Sequence, residues 1–77
     1  MPQKQPIEIT IVRIPQRSWR WAWRCEIRVH HADVDPYGRG YRDRCLAVYG
    51  DYDARHRGPR SRLGRAIADI KREYNIS

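Results

Sequence analysis

The sequence lacks the features that mark membrane-spanning, secreted and metal-binding chains. Its 77 residues contain no apolar run near the ~18 residues of a membrane-spanning helix. The polar, proline-rich residues 1–6 do not form a charged-then-apolar secretory leader. The two cysteines make no Cys-x-x-Cys motif and no zinc-ligand spacing. These absences predict a cytoplasmic protein that uses no cofactor, no metal and no membrane.

Lysine is also scarce, since it occurs only at positions 4 and 71, and nearly all of the positive charge is on arginine. The net charge is +7, from 16 Lys+Arg and 9 Asp+Glu. Residues 13–28, with five arginines and one glutamate, carry +4, and residues 54–65, with five arginines and no acid, carry +5. Arginine binds phosphate through a planar two-point fork and stacks on bases. A coding sequence rich in G and C would explain the scarcity of lysine, but not the two clusters.

Two segments alternate in the manner of β-strands. Residues 7–11 alternate apolar and polar side chains, and the β-branched character continues to residue 14. The apolar side shifts between Ile11 and Val12, which predicts a bulge or a strand end buried on both faces. Residues 19–29 place apolar residues at every odd position and mostly arginine at the even ones, and a strand sends these two sets to opposite faces. The odd positions are Trp19, Trp21, Trp23, Cys25, Ile27 and Val29.

The second half of the chain predicts one more strand and a helix. After a long turn over residues 30–40, residues 41–49 resume strand character. A helix is expected to begin at Pro59 or Ser61 and to end at Asn75. Its apolar face consists of Leu63, Ala66, Ile67, Ile70 and Tyr74.

These elements predict an α+β fold, a three-stranded antiparallel sheet with one C-terminal helix packed on one face (βββα). Residues 1–6 are assigned to a disordered N-terminal arm and residues 7–77 to a single domain. One helix of about fifteen residues is too short to cover three tryptophans and the isoleucines of the first strand. An exposed tryptophan, a covering arm or a homodimer would resolve this shortage.

A hairpin centred near Asp35 would place Cys25 opposite Cys45 and Glu26 opposite Arg44, a favourable cross-strand pair. Two cysteines that face each other could form a disulfide. In a basic cytosolic protein, reduced core thiols are the more common arrangement.

The basic segment that leads into the helix is the first candidate site. Helix N-termini carry unsatisfied N–H groups and a partial positive charge, so they bind phosphate and disfavour cations. A bound phosphate would explain why arginines stand at positions 60, 62 and 65. The alternative is a solvated basic loop.

The polar face of the sheet is the second candidate. It would carry Arg20, Arg24 and Arg28 on the second strand with Arg42 and Arg44 beside them, and it has no partner layer in this topology. Such a face would meet solvent or enter a nucleic-acid groove. The arginines assigned to nucleic-acid binding are Arg20, Arg24, Arg28, Arg42, Arg44, Arg55, Arg57, Arg60, Arg62 and Arg65.

Aromatic residues offer base stacking or partner contacts, and Trp19 and Tyr37 are assigned to this role. The tryptophans at alternate strand positions are otherwise expected in the core. The segment around His30, His31 and Asp33 has no spacing that fixes a metal geometry. No nucleophile or pair of carboxylates stands at a telling distance from a histidine, so the chain is expected not to be an enzyme.

The stretch Trp23-Arg24-Cys25-Glu26-Ile27-Arg28 resembles the Trp-x-x-Glu-Ile-Arg stretch of plant AP2-type DNA-binding domains. Those domains, like the arm-binding domains of some phage integrases, lay a three-stranded sheet in the major groove with one helix behind it. The resemblance covers six residues and implies a sheet that faces duplex DNA.

The sequence therefore predicts a small non-enzymatic nucleic-acid-binding protein, with DNA favoured over RNA. The alternative is a small accessory or inhibitor protein of a phage or mobile element, which would bind a protein partner through its tryptophans and arginines.

Overall fold

A computed structural model describes residues 6–14 and 23–76. Predictions that concern the N-terminal arm up to residue 5, Trp19, Arg20 and Trp21 lie outside the described residues.

Three strands form one antiparallel sheet in the order β1-β2-β3, with β1 at Ile7–Arg13, β2 at Arg24–His31 and β3 at Ala47–Asp53. The central strand β2 pairs with β1 from Ile7–His31 to Arg13–Cys25 without interruption. Its pairing with β3 shifts register between Cys25 and Glu26, which leaves Asp51 as an extra residue on β3. The predicted three-stranded antiparallel sheet is confirmed.

Two helices complete the described fold: the short α1 at Tyr41–Arg44 and the twelve-residue α2 at Arg62–Glu73. The side chain of Ser61 accepts a hydrogen bond from the backbone N–H of Gly64 at 3.0 Å, which confirms Ser61 as the start of α2. Asn75 lies just past the end at φ 57, a left-handed conformation that asparagine tolerates and that stops a helix.

The core lies between α2 and one face of the sheet. Ile27 and Val29 of β2 are completely buried against Leu63 and Ile70 of α2. The other apolar residues that were predicted for this helix face, together with the three isoleucines of β1, pack around them as partly buried neighbours. The predicted packing of the helix on the sheet is therefore confirmed.

The third strand begins six residues later than predicted. Residues 41–44 form α1 and not a strand, so Arg42 and Arg44 lie outside the sheet. Gly40 precedes α1 at φ 76, a left-handed conformation that is open to glycine and that breaks an extended chain. The predicted hairpin register is consequently wrong.

In the observed register Cys25 faces Tyr52 and Glu26 faces Gly50. The Cys25 thiol is buried in the core, whereas Cys45 directly follows α1, and both thiols are free. Burial raises the pKa of the Cys25 thiol.

Part of the connection between β2 and β3, which the sequence predicts as a turn and a strand, lies over the face of the sheet opposite α2, where Pro36 and Tyr41 contact Arg28. Tyr41 is buried in this segment, and its hydroxyl donates to the backbone oxygen of Val29 at 3.3 Å. On the sheet beneath it, Glu26 and His30 are buried as well. The prediction that this face has no partner layer is wrong, because the connection between β2 and β3 supplies one.

Candidate nucleic-acid interface

The arginines of β2 are bound by carboxylates of the same fold. Arg24 Nε donates to Asp51 Oδ1 at 2.7 Å, and Arg24 Nη2 donates to the backbone oxygen of Asp51 at 3.0 Å. This hydrogen bond to Asp51 raises the pKa of Arg24. The register shift that makes Asp51 an extra residue puts its carboxylate next to Arg24.

Arg28 is even less accessible. Its guanidinium donates to Glu26 Oε1 at 2.7–2.8 Å and to the backbone oxygen of Pro36, and it stacks over the Tyr41 ring at 4.6 Å. Only 17% of its side chain is exposed. A strand that places Arg28 in a DNA groove, as the AP2-type resemblance implies, would need this cover to be removed.

The two arginines of α1 occupy an intermediate position. Arg42 lies 3.6 Å from Glu26 and Arg44 lies 4.0 Å from Asp33, while both side chains remain about two-thirds exposed. Such long, exposed ion pairs contribute little. These two guanidiniums are accessible, but they do not lie beside Arg24 in a sheet as predicted.

Arg55 folds back on Asp53 at the end of β3. Its guanidinium donates to both Asp53 oxygens at 3.0–3.2 Å, and its backbone N–H donates to Asp53 Oδ1 at 2.9 Å. These hydrogen bonds lower the pKa of Asp53 to about 2 and raise the pKa of Arg55. Arg55 is therefore neutralised locally.

Four further arginines around the start of α2 have a different environment, and we call them the helix-entry arginines. Among residues 6–14 and 23–76, no carboxylate lies within 4.0 Å of their guanidinium groups. All four are exposed, and the first turn of α2 contains no acidic residue. The helix-entry arginines are Arg57, Arg60, Arg62 and Arg65.

The backbone that carries them is held in one conformation. Ser61 Oγ donates to the backbone oxygen of Gly58 at 2.6 Å, and Arg57 Nε donates to the backbone oxygen of Ala54 at 2.8 Å. Gly58 and the first turn of α2 approach so closely that a Cβ on Gly64 would overlap the Gly58 carbonyl. These contacts fix the spacing of the helix-entry arginines.

A cavity of about 270 Å³ opens beside these arginines, between the end of β3 and the start of α2. Tyr52 and Leu63 form its apolar part. Its polar lining combines the Asp53 carboxylate with Arg24, Arg62 and His56. The sequence pattern does not predict this cavity, because the cavity depends on how the end of β3 meets the helix.

An exposed tryptophan adjoins the same region. Trp23 is 47% exposed, its backbone oxygen accepts from Ala54 N at 2.6 Å, and the Arg13 guanidinium lies 5.1 Å from its ring centroid. The expectation that Trp23 is a core residue is wrong, because the described strand begins only at the next residue. Tyr37 is 69% exposed, and its backbone N–H donates to Asp35 Oδ1 at 2.9 Å.

The buried histidine His30 has a structural environment. Its Nδ1 donates to the backbone oxygen of His31 at 2.8 Å, and its Nε2 lies 2.8 Å from Thr10 Oγ1. In the part of the chain that the structure describes, no three His, Cys, Asp or Glu side chains cluster as metal ligands would, and no helix is long and apolar enough to cross a bilayer.

Comparison of the chain with protein-family models, with curated proteins and with solved structures finds no match.

Proposed function

We propose that this chain is a small, non-catalytic nucleic-acid-binding protein that holds phosphate groups with its helix-entry arginines. The observation that carries the proposal is the contrast between two sets of arginines. Arg24, Arg28 and Arg55 lie within 3.0 Å of a carboxylate, whereas none of the helix-entry arginines has one within 4.0 Å in the described part of the chain.

The clustering of the helix-entry arginines destabilises the protein when no ligand is bound. The N-terminal end of a helix carries a partial positive charge, and each cation placed there loses about 0.3–1 kcal/mol relative to a neutral residue. Exposed like charges on a rigid turn also repel one another. A phosphate backbone removes both costs, since it offers anionic oxygens to the guanidiniums and to the free N–H groups of the first turn.

The choice between DNA and RNA stays a prediction. Duplex DNA was favoured because an open sheet face would fit the major groove, and part of the connection between β2 and β3 lies over that face. Phosphate binding by the helix-entry arginines does not involve the sheet face, so we expect it for either nucleic acid. DNA remains the first ligand to test, and the cytoplasm remains the proposed location of the protein.

The test is a fluorescence-anisotropy titration with duplex DNA, single-stranded DNA and RNA over a range of salt concentrations. A variant with Arg60, Arg62 and Arg65 changed to Gln is compared with a control in which Arg39, Lys71 and Arg72 are changed to Gln. Both variants lose three positive charges.

On duplex DNA each lost phosphate contact reduces the slope of log K against log salt by about 0.9. We therefore expect the helix-entry variant to lose about 2–3 units of slope and the control less than 1. Equal losses in the two variants would show that only net charge matters, and no binding of the wild type at low salt would reject the proposed function.

A second candidate function is binding to a protein partner. The half-exposed Trp23 beside Arg13 favours it, because tryptophan and arginine contribute most to protein interfaces. In that case a Trp23→Ala variant would lose its protein partner, and the complex would survive nuclease treatment in the wild type.

A further inference from the structure

The cavity beside α2 has a lining that suits a neutral planar ligand better than a phosphate. The Asp53 carboxylate contributes to its wall. Two hydrogen bonds from the Arg55 guanidinium and one from the Arg55 backbone lower the pKa of Asp53 to about 2, so this carboxylate is ionised at neutral pH. The lining therefore carries charges of both signs, with Asp53 opposite in charge to Arg24 and Arg62, and a phosphate placed beside Asp53 would be repelled by its carboxylate. The phosphates of a bound strand belong instead on the outer surface, with the helix-entry arginines.

The size of the cavity points to a small ligand. Pockets for drug-sized molecules measure roughly 300–1,000 Å³, and this one measures about 270 Å³. The partly exposed Tyr52 side chain provides most of the apolar contact, because Leu63 is only 1% exposed; Asp53 accepts hydrogen bonds and Arg62 donates them. A nucleobase combines these properties, since it has two flat apolar faces and an edge that carries both donors and acceptors.

We propose that this cavity receives one unpaired base of a bound strand, so that the protein prefers single-stranded to duplex nucleic acid. The inference rests on the proposed function and adds to it the strandedness of the ligand and the position of base contact. The exposed Trp23 lies next to the residues that lead from β3 to the cavity, through the hydrogen bond between its backbone oxygen and Ala54 N. A neighbouring base can stack on such an indole.

The experiment compares two oligonucleotides that carry the same phosphates: a short single strand, and the same strand with abasic residues throughout. The charge contribution is equal for both. Contacts between bases and protein aromatic groups change affinity by roughly 5- to 150-fold per base. We expect the wild-type protein to bind the intact strand at least about fivefold more tightly than the abasic strand.

Asp53→Asn tests whether the cavity is the source of that preference. The variant keeps the shape of the side chain and removes the negative charge, so it should bind the abasic strand more tightly and lose most of the preference for the intact one. Asp69→Asn is the matched control, because Asp69 is exposed on α2, pairs with Arg72 and does not line the cavity. It should strengthen binding of both strands and leave their ratio unchanged.

Each outcome is decisive. Equal wild-type affinity for the two strands would overturn the base site and leave the phosphate-binding proposal standing. A preference that Asp53→Asn retains in full would place base contact elsewhere, at Trp23 for example, and would also overturn the cavity assignment. Failure to bind either single strand at low salt would overturn the inference, and the duplex DNA titration would then decide separately whether the proposed function stands.

Discussion

The close contact between Gly58 and Gly64 predicts a large effect for a single added methyl group. A Cβ on Gly64 would overlap the Gly58 carbonyl oxygen and would lie 2.9 Å from its carbon and 3.0 Å from Pro59 Cα. All three are backbone atoms, so no side chain can rotate away to make room. Gly64→Ala must therefore separate the start of α2 from the loop that precedes it.

The magnitude follows from two opposing effects. Overpacking of a well-packed site costs about 1–3 kcal/mol, and alanine gains up to about 1 kcal/mol over glycine in a helix. Because only backbone atoms can move, the overpacking cost should lie at about 2–3 kcal/mol. We therefore expect a net loss of about 1–2 kcal/mol in the free energy of unfolding, or a fall in Tm of roughly 4–15 °C in a domain of this size. Urea unfolding followed by circular dichroism measures it.

Gly58→Ala is the matched control. A Cβ on Gly58 meets nothing within 4 Å, and the same substitution there should change stability by less than about 0.5 kcal/mol. If Gly64→Ala is as stable as the wild type, helix propensity outweighs the contact, and the rigid spacing that we assign to the helix-entry arginines is refuted.

Three further predictions follow. Ser61→Ala removes the side-chain acceptor at the start of α2 and should cost about 1 kcal/mol in urea unfolding; a loss below about 0.3 kcal/mol would contradict the assigned cap. Burial raises the pKa of Tyr41 to about 12, whereas the same hydroxyl in the unfolded chain ionises near pH 10. The stability that Tyr41 contributes should therefore be complete below pH 10 and fall by about 2 kcal/mol towards pH 12, and the difference between the wild type and Tyr41→Phe over this range measures it. The variant with Arg60, Arg62 and Arg65 changed to Gln should be more stable to urea than the wild type in low salt, by a few tenths of a kcal/mol of unfolding free energy per removed charge. The difference should shrink as salt screens the repulsion. A less stable variant would show that these arginines stabilise the fold.

The fold was predictable where one local pattern dominates. Residues 7–11 have a period of two and the apolar face of α2 has a period of 3.6, and the structure forms both elements as expected. Residues 41–49 were predicted as a strand because they contain two tyrosines and a valine, which favour strands locally. Contacts that are distant in sequence decide otherwise, because Tyr41 packs on Arg28 and reaches the backbone of Val29.

The sequence predicts where the positive charge of the candidate site lies, but not which arginines are exposed and unpaired. The clustering of arginine at residues 54–65 is visible in the sequence, and the helix-entry arginines fall within it. The neutralisation of Arg24 depends on one extra residue in β3, which puts Asp51 beside it. The alternation of side chains along β2 does not reveal that register shift, so the sequence alone predicts that Arg24 is free to bind a ligand.

The distribution of acids separates the arginines that support the fold from those available to a ligand. Glu26, Asp51 and Asp53 each bind an arginine within or next to the sheet, at distances of 2.7–3.0 Å. The pairs with Arg24 and Arg28 neutralise the positive charge of the central strand, where burial would make an unpaired guanidinium costly. The segment from Ala54 to Arg65 contains no acid at all, and its charge of +5 is most of the net charge of the chain. Under the proposed function, this charge would attract a phosphate backbone to the start of α2, and the adjoining cavity would favour a single strand over a duplex.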